Sequence, residues 1–192
     1  MGISYYQMDE TKMKTKIKTV FTPNATSKLI VEDTVKLIKK KVDALDLGCG
    51  EGYIGLNIYK KQKKKIKSFS FSDLSKKATK RCKRNLTKEK LKAIVKNGSM
   101  FGPWKNKKFD LIVESVSAIS EPVANRSPWY NKNIPCHAGI DGTKLVNKIL
   151  LEAKNYLKKG GKIIFPIVSF SKKEKIINLA KKNYKKVKLL SL

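Results

Sequence analysis

The hydrophobic and polar positions of this chain follow two periods that alternate along the sequence. Short apolar or alternating runs predict strands, and stretches with an apolar residue every three or four positions predict amphipathic helices. The predicted strands are Val42–Leu47, Ser68–Ser72, Leu91–Val95, Phe109–Val113, Lys162–Val168 and Val187–Leu192, and the predicted helices are Ser27–Lys40, Tyr53–Tyr59, one beginning at Ser75, Thr143–Leu157 and Ser171–Lys182. This alternation indicates an α/β domain with a mostly parallel twisted sheet and helices on both faces.

The length and composition suit a single domain. The chain has 192 residues, of which 41% are hydrophobic, enough for a substantial core. Residues 1–20 are polar and spaced with lysines, so we expect an N-terminal extension followed by one domain over residues 21–192. No internal repeat and no linker rich in Pro, Gly or Ser interrupts that sequence.

Membrane and metal-binding classes find no support in the sequence. No run approaches the roughly 18 apolar residues that span a bilayer, and no charged-then-apolar leader is present. The cysteines Cys49, Cys82 and Cys136 are widely spaced and His137 is the one histidine, which leaves no CxxC pair and no histidine cluster for a metal. We therefore expect a cytoplasmic protein without a membrane or metal partner.

The charge balance is strongly basic. Lys and Arg number 44 against 15 Asp and Glu, a formal net charge of +29, and nearly all of the basic residues are lysine. Such an excess suggests an anionic partner, nucleic acid first and a membrane surface second. A lysine-rich background is the competing interpretation. Most lysines fall on the outer faces of predicted helices and on their connections, and few lie within residues 48–52 or 115–142, which favours background.

The most informative stretch is a glycine turn between a predicted strand and a predicted helix. It runs Asp46-Leu47-Gly48-Cys49-Gly50-Glu51-Gly52, and such a turn lets a ligand approach bare backbone and a helix N-terminus. The spacing is G-x-G-x-G, whereas a dinucleotide fingerprint requires G-x-G-x-x-G, with its third glycine where Tyr53 stands. The carboxylates of Asp46 and Glu51 suit an ammonium or sulfonium ligand better than a pyrophosphate.

A further acidic residue follows at the end of the next strand. Asp73 stands 27 residues after Asp46, which in a doubly wound sheet places it beside the glycine turn. There a carboxylate can accept both hydroxyls of a ribose. The same position suits an Asp that caps the helix beginning near Ser75, and the two roles are compatible.

The glycine turn with Asp73 resembles motif I and the following acid of the class I S-adenosylmethionine-dependent methyltransferases. Within that class, Asp73-Leu74-Ser75 with Ala78, Cys82 and Asn85 is similar to a run of the small-domain group, which includes release-factor glutamine and ribosomal RNA guanine methyltransferases. Other similar segments are Phe21–Pro23 with the cofactor-covering segment, Asn97–Phe101 with the turn near the adenine, Phe109–Val113 with the fourth strand and Leu157–Gly161 with the approach to the fifth.

The resemblance covers about residues 21–190 and implies a Rossmann-like fold and methyl transfer. It implies that S-adenosylmethionine is the cofactor and that its binding residues are Asp46, Gly48, Gly50, Gly52, Asp73 and Ser99. Three features depart from the family pattern. Glu114-Ser115-Val116-Ser117 stands where the family has N-P-P-Y, Ser99 replaces an aspartate, and the seventh strand, which the family inserts antiparallel beside the fifth, is missing.

The catalytic group and the methyl acceptor stay open at this point. Glu114 follows a strand end and could orient the proton of a nucleophile, and His137 could act as a general base because its pKa lies near neutral pH. Both belong to or border a long segment, 115–142, whose Trp129 and Tyr130 either anchor it or hold a flat substrate group. The acceptor is a small molecule, a protein or RNA. A non-catalytic RNA-binding module on this scaffold is the alternative.

Overall fold

The computed structural model describes residues 23–126 and 138–191. Helices and strands alternate along the chain, as the sequence predicts. The strands are β1 (Val42–Leu47), β2 (Ile66–Asp73), β3 (Ile94–Asn97), β4 (Phe109–Glu114) and β5 (Leu157–Ile164), and the helices are α1 (Ala25–Leu37), α2 (Tyr53–Gln62), α3 (Lys76–Lys88), α4 (Glu121–Arg126), α5 (Lys144–Ala153) and α6 (Lys173–Asn183). Two short 3-10 turns, Lys63–Lys65 and Gly102–Trp104, complete the set within the described residues.

The five strands form one parallel sheet in the order β3-β2-β1-β4-β5. The central strand β1 lies between β2 and β4, and Leu47 is paired with Ser72 on one side and with Glu114 on the other. The carboxyl ends of these three strands are therefore level. In an open α/β sheet this is the edge at which ligands bind.

Apolar side chains cover both faces of the sheet, as expected for parallel strands buried between helix layers. One face packs Phe69, Phe71, Leu111 and Val113 against residues of α1, α2 and α3. The other packs Leu45, Leu47, Ile112 and Trp104 against Ile149 and Ala153 of α5. Because both faces are covered, the sequence of β1 is apolar at every position except its two aspartates.

The predicted fold class is confirmed, and several element boundaries differ, most of all those around β5. The helix predicted over Thr143–Leu157 ends at Ala153, and the strand predicted from Lys162 begins at Leu157. The polar start of β5 is stabilised by Lys158, whose ammonium group binds the carboxylates of Asp43 and Asp110 on β1 and β4. These contacts are not visible in the local sequence, which has the pattern of a helix end.

The predicted sixth strand, Val187–Leu192, is wrong over the residues that the structure describes, since 187–191 have no strand partner. The segment leaves Leu189 74% exposed, and the Ser191 hydroxyl instead donates to Asp33 of α1. A short apolar run does not form a strand unless its backbone pairs with a neighbouring strand, and residues 187–191 make no such pairing.

Candidate functional site

The turn after β1 is built from glycines in a left-handed conformation. Gly48, Gly50 and Gly52 have φ angles of +79°, +53° and +86°, a region that residues with a Cβ rarely adopt. The turn is tied to the end of β2, because the backbone N–H groups of Gly48 and Cys49 both donate to the Ser72 carbonyl, at 2.9 and 3.0 Å. The path of the turn is thus fixed from the neighbouring strand.

The three glycines differ in what surrounds them. A Cβ on Gly48 would lie 2.8 Å from Cγ1 of Val116, and a Cβ on Gly52 would lie 2.8 Å from Sγ of Cys82. A Cβ on Gly50 would meet no atom within 4 Å. Gly48 and Gly52 are therefore needed for packing within the protein, whereas Gly50 presents its backbone to open space where a ligand can approach.

Asp73, at the end of β2, is in direct contact with this turn. Its Oδ2 accepts the N–H of Gly50 at 2.9 Å, and its Oδ1 accepts the N–H of Ser75 at 2.8 Å. The Ser75 hydroxyl in turn accepts the N–H of Ala78 and caps α3. The carboxylate orders both the glycine turn and the start of α3. Each oxygen keeps a lone pair that can accept a ligand hydroxyl.

Asp46 lies beneath the turn and is fully buried. Its Oδ2 accepts the N–H of Gly55 at 2.8 Å, and its Oδ1 has no hydrogen-bond partner within the described ranges 23–126 and 138–191. Burial raises the pKa of Asp46 to about 7; the Gly55 N–H opposes this rise and the nearby Asp73 adds to it. Gly55 is required here because a Cβ would lie 2.3 Å from Cε1 of Phe71. Asp46 thus joins β1 to α2 and keeps one oxygen free.

Glu114, the last residue of β4, is also fully buried. Its Oε1 accepts the N–H of Val116 at 2.7 Å, while its Oε2 has no hydrogen-bond partner among the residues that the structure describes. Burial raises the pKa of Glu114 to about 8, against the effect of the Val116 N–H. At neutral pH this side chain is mainly a neutral carboxylic acid at the ligand-binding edge of the sheet.

The residues after Glu114 connect β4 to the glycine turn. The N–H of Ser115 donates to the Leu47 carbonyl at 3.0 Å, and its hydroxyl donates to the Gly48 carbonyl at 2.9 Å. Val116 then packs against Gly48. Through these contacts the acidic end of β4 and the glycine turn form one continuous unit.

The structure also describes Glu51 and Ser99, two other candidate site residues from the sequence. The Glu51 carboxylate forms an ion pair with Arg81 of α3, and the Glu51 carbonyl accepts the Asn85 side chain at 2.9 Å. Glu51 also borders a cavity of about 260 Å³ between α2 and α3, which lies apart from Glu114. Ser99 is exposed beyond the end of β3 and has no side-chain bond among the described residues. The predictions for His137, Trp129 and Tyr130 fall outside the described residues.

Several residues that shape the site were not predicted from the sequence. Asn97 of β3 donates its side-chain amide to the carbonyls of Asp73 and Leu74, at 3.0 and 2.9 Å, and fixes the turn after β2. Ser72 and Ser115 tie the glycine turn on its two sides. Their one sequence signal is a position at or just after a strand end, which many unrelated polar residues share.

The described ranges 23–126 and 138–191 contain no helix long and apolar enough to cross a membrane. Within those ranges no group of three or more His, Cys, Asp or Glu side chains has an arrangement that could hold a metal ion.

Comparison with known proteins gives matches across most of the chain. The chain is 32% identical over 162 residues to a bifunctional methyltransferase of Rickettsia typhi, which covers 81% of this chain and 30% of the relative. It is 30% identical over 141 residues to ribosomal RNA small subunit methyltransferase C of Haemophilus ducreyi, which covers 73% of this chain and 36% of the relative. The chain spans about a third of the length of these curated relatives.

A solved structure shares the fold. The 16S rRNA N2 G1207 methyltransferase of T. thermophilus, determined with AdoMet and guanosine, superimposes with a TM-score of 0.66 over 89% of this chain and 41% of that chain, at 17% identity. The methyltransferase small domain model matches residues 19–115, about half of the sequence, and this range includes the glycine turn, Asp73 and Glu114. The chain therefore belongs to the methyltransferase small domain family of class I methyltransferases.

Proposed function

We propose that this protein is an S-adenosylmethionine-dependent methyltransferase. The proposal rests on the observation that three groups lie together at one edge of the sheet. These are the open backbone at Gly50, the Asp73 carboxylate bonded to it, and the end of β4 joined to the same turn through Ser115. The first two groups would hold the cofactor, and the third is joined to the same turn, where an acceptor could meet it.

The residues present suit this cofactor. Gly50 offers room and bare backbone, and Asp73 keeps lone pairs for the ribose hydroxyls. Asp46 has a buried oxygen without a partner beneath the turn, which suits the cationic part of the ligand. Gly48 and Gly52 maintain the shape of the turn. We propose that Ser99 lies on the side of the site that binds the adenine of the cofactor.

The chemistry supplied by bound S-adenosylmethionine is an activated methyl group on a sulfonium. The protein aligns the acceptor with that methyl group and excludes water. We propose that Glu114 interacts with the proton that the acceptor loses, because Glu114 lies at the end of β4. The proposal also includes His137 as a general base, a role that is predicted from the sequence.

For the methyl acceptor we propose a broad class of molecule. One relative is named as a ribosomal RNA methyltransferase. By analogy with that name, we propose a macromolecule as the methyl acceptor of this chain. The matched portion is about a third of each relative, so most of the length of those proteins lies outside the alignment.

Calorimetry with S-adenosylhomocysteine tests the cofactor site. We expect saturable binding that is abolished or strongly weakened in Asp73→Ala. Absence of heat at micromolar protein, together with RNA binding that falls steeply with salt, would instead indicate a non-catalytic RNA-binding module.

Transfer of labelled methyl groups into a cell extract tests the activity. The extract is separated into RNA, protein and small-molecule fractions after incubation with the protein and labelled cofactor. Label in one fraction above the level of a protein-free control identifies the class of acceptor. No label in any fraction, despite cofactor binding, would contradict the enzymatic proposal.

A further inference from the structure

The side chain of Glu114 has an unusual state for a carboxyl group. It is fully buried, one oxygen accepts the Val116 N–H, and the other has no partner within the part of the chain that the structure describes. A buried polar atom without a hydrogen-bond partner lowers the stability of the protein unless a bound group supplies the missing bond. The position of this atom, at the ligand-binding edge of the sheet, suggests that the missing partner is the substrate.

The location of Glu114 relative to the cofactor turn is fixed by backbone contacts. Glu114 pairs with Leu47 in the register of β4 and β1, and Leu47 directly precedes Gly48. Its neighbours Ser115 and Val116 bond to and pack against Gly48. A group that completes Glu114 is therefore close to the place where the cofactor would lie.

We propose that the methyl acceptor is an aliphatic amine and that Glu114 is the catalytic residue that receives its proton. This inference rests on the proposed methyltransferase function and names the substrate class for the same site. The amine supplies two things that the Glu114 site lacks. It has an N–H donor for the free Oε2, and in its ammonium form it has a positive charge for a buried carboxylate.

No charged side chain in the described residues neutralises Glu114. Burial is the main cause of its shifted pKa, and no charged neighbour contributes to it. On β1, Asp46 is itself an acid; on β5, Lys158 is held by Asp43 and Asp110; on α5, Lys148 pairs with Glu152. A cation brought by the substrate would therefore meet no competing partner among these described residues.

The burial of Glu114 also favours amines over other classes of methyl acceptor. With a phenol or thiol, the pair formed with the Glu114 carboxylate carries one negative charge both before and after the proton moves, so it needs a further cation beside it. An ammonium group and a carboxylate together are neutral, and so are the free amine and the carboxylic acid. The proton can move between them without creating net charge.

The proposed step balances as follows. The ammonium form of the acceptor gives one proton to the Glu114 carboxylate and becomes a free amine with a nitrogen lone pair. That lone pair forms a bond to the methyl carbon, the bond from carbon to sulfur breaks, and its electron pair stays on sulfur. The products are a methylated ammonium, a neutral thioether and protonated Glu114, which returns its proton to water.

The pH profile of Glu114→Gln tests the role of the residue. In the wild type, kcat/KM should rise with pH until Glu114 ionises, near pH 8. Glutamine keeps the shape and a donor but cannot take a proton, so we expect a loss of roughly 10²- to 10⁴-fold at pH 7.5. The remaining activity should keep rising towards the pKa of the amine itself, about 10.4 for a lysine side chain.

The acceptor for these assays is the extract fraction that wild-type protein labels. Glu89→Gln, an exposed change directly after the last residue of α3, is the matched control and should leave the profile unaltered. S-adenosylhomocysteine binding by Glu114→Gln should equal that of the wild type, which shows a folded cofactor site. A wild-type pH profile in Glu114→Gln, or weakened cofactor binding by it, would overturn the inference.

The chemistry of the labelled product tests the substrate class. A methylated aliphatic amine keeps its label through strong acid hydrolysis in a product that is cationic at neutral pH. Label in hydrolysed protein indicates a lysine side chain or N-terminus, and label in the small-molecule fraction indicates a free amine. Label in RNA, or as released methylamine from an amide or methanol from an ester, would refute the amine and leave the methyltransferase proposal intact. Failure of all labelling and of cofactor binding would refute that proposal itself.

Discussion

Asp73 and Gly50 are joined by a hydrogen bond of 2.9 Å from the Gly50 N–H to the Asp73 carboxylate, across two neighbouring strand ends. The bond couples the residue proposed to hold the ribose to the one glycine of the turn that faces open space. The same carboxylate accepts the Ser75 N–H ahead of α3. A ligand that contacts Asp73 therefore contacts a group already held in place by two backbone donors.

Asp73→Ala should weaken S-adenosylhomocysteine binding by about 100-fold or more, since hydrogen bonds to a charged group contribute roughly 1.5–3 kcal/mol each. Calorimetry measures the loss, with Glu89→Ala as the control because that carboxylate pairs with Lys60 at the surface.

A 2′-deoxy analogue of the ligand separates ribose binding from loop ordering. The wild type should bind the analogue more weakly than the parent ligand, whereas Asp73→Ala should bind both alike. Equal discrimination by the two proteins would mean that Asp73 only orders the turn.

Alanine at Gly50 and at Gly48 should have different effects. A Cβ at Gly50 meets no atom of the described residues within 4 Å, so Gly50→Ala should cost only the strain of its positive φ, about 1–2 kcal/mol, and should strongly weaken ligand binding. A Cβ at Gly48 meets Val116 at 2.8 Å, so Gly48→Ala should lose more stability as well as binding. Urea unfolding and calorimetry on both variants check this. Equal stability of the two would contradict the contact between the turn and the end of β4.

The sequence predicts the backbone of the site better than the state of its side chains. The limits of β1 agree with the prediction because this strand is buried on both faces and its apolar run ends at Gly48. The place of Asp73 beside the turn follows from the parallel order of β1 and β2. Parallel strands bring their carboxyl ends together whatever the detailed packing, so spacing alone is informative here.

The burial of Asp46 and Glu114 could not be predicted in the same way. Each has one oxygen on a backbone N–H and one without a partner, and this depends on how α2 and the segment after β4 close over the strand ends. The polar start of β5 is similar, because it needs Asp43 and Asp110 from other strands to hold Lys158. Such features arise from contacts that are distant in sequence.

Ser115→Ala should loosen the glycine turn from the end of β4. The Ser115 hydroxyl is 2.9 Å from the Gly48 carbonyl, and its loss should cost about 1 kcal/mol of stability and a few-fold in ligand affinity. Ser117→Ala is a matched control, since that hydroxyl makes only a long contact of 3.5 Å with the Ile119 N–H. Ser115→Thr, which keeps the hydroxyl, should restore binding. If Ser115→Ala and Ser117→Ala behave alike, the proposed coupling between turn and strand end is wrong.

The buried acids should make the protein less stable as pH rises from about 4 to 8. Unfolded Asp and Glu lose their protons near pH 4, whereas folded Asp46 and Glu114 keep theirs until about pH 7 and 8. Between these values the folded state binds more protons, so each pH unit lowers the free energy of unfolding by roughly 1.4 kcal/mol for each group. Above about pH 8 their contribution becomes constant.

Urea unfolding of the wild type, Asp46→Asn and Glu114→Gln at several pH values measures this dependence. Each variant removes one of the two retained protons, so each should flatten the curve, Asp46→Asn up to about pH 7 and Glu114→Gln up to about pH 8. Asp141→Asn is a control of opposite sign. Hydrogen bonds with Lys175 and Thr143 lower the pKa of Asp141 to about 2, so its contribution is present above pH 4 and is lost as the pH falls. A Glu114→Gln curve parallel to the wild type between pH 5 and 8 would show that Glu114 is already ionised in the folded protein. The unpartnered oxygen would then require a cation that the described residues do not supply.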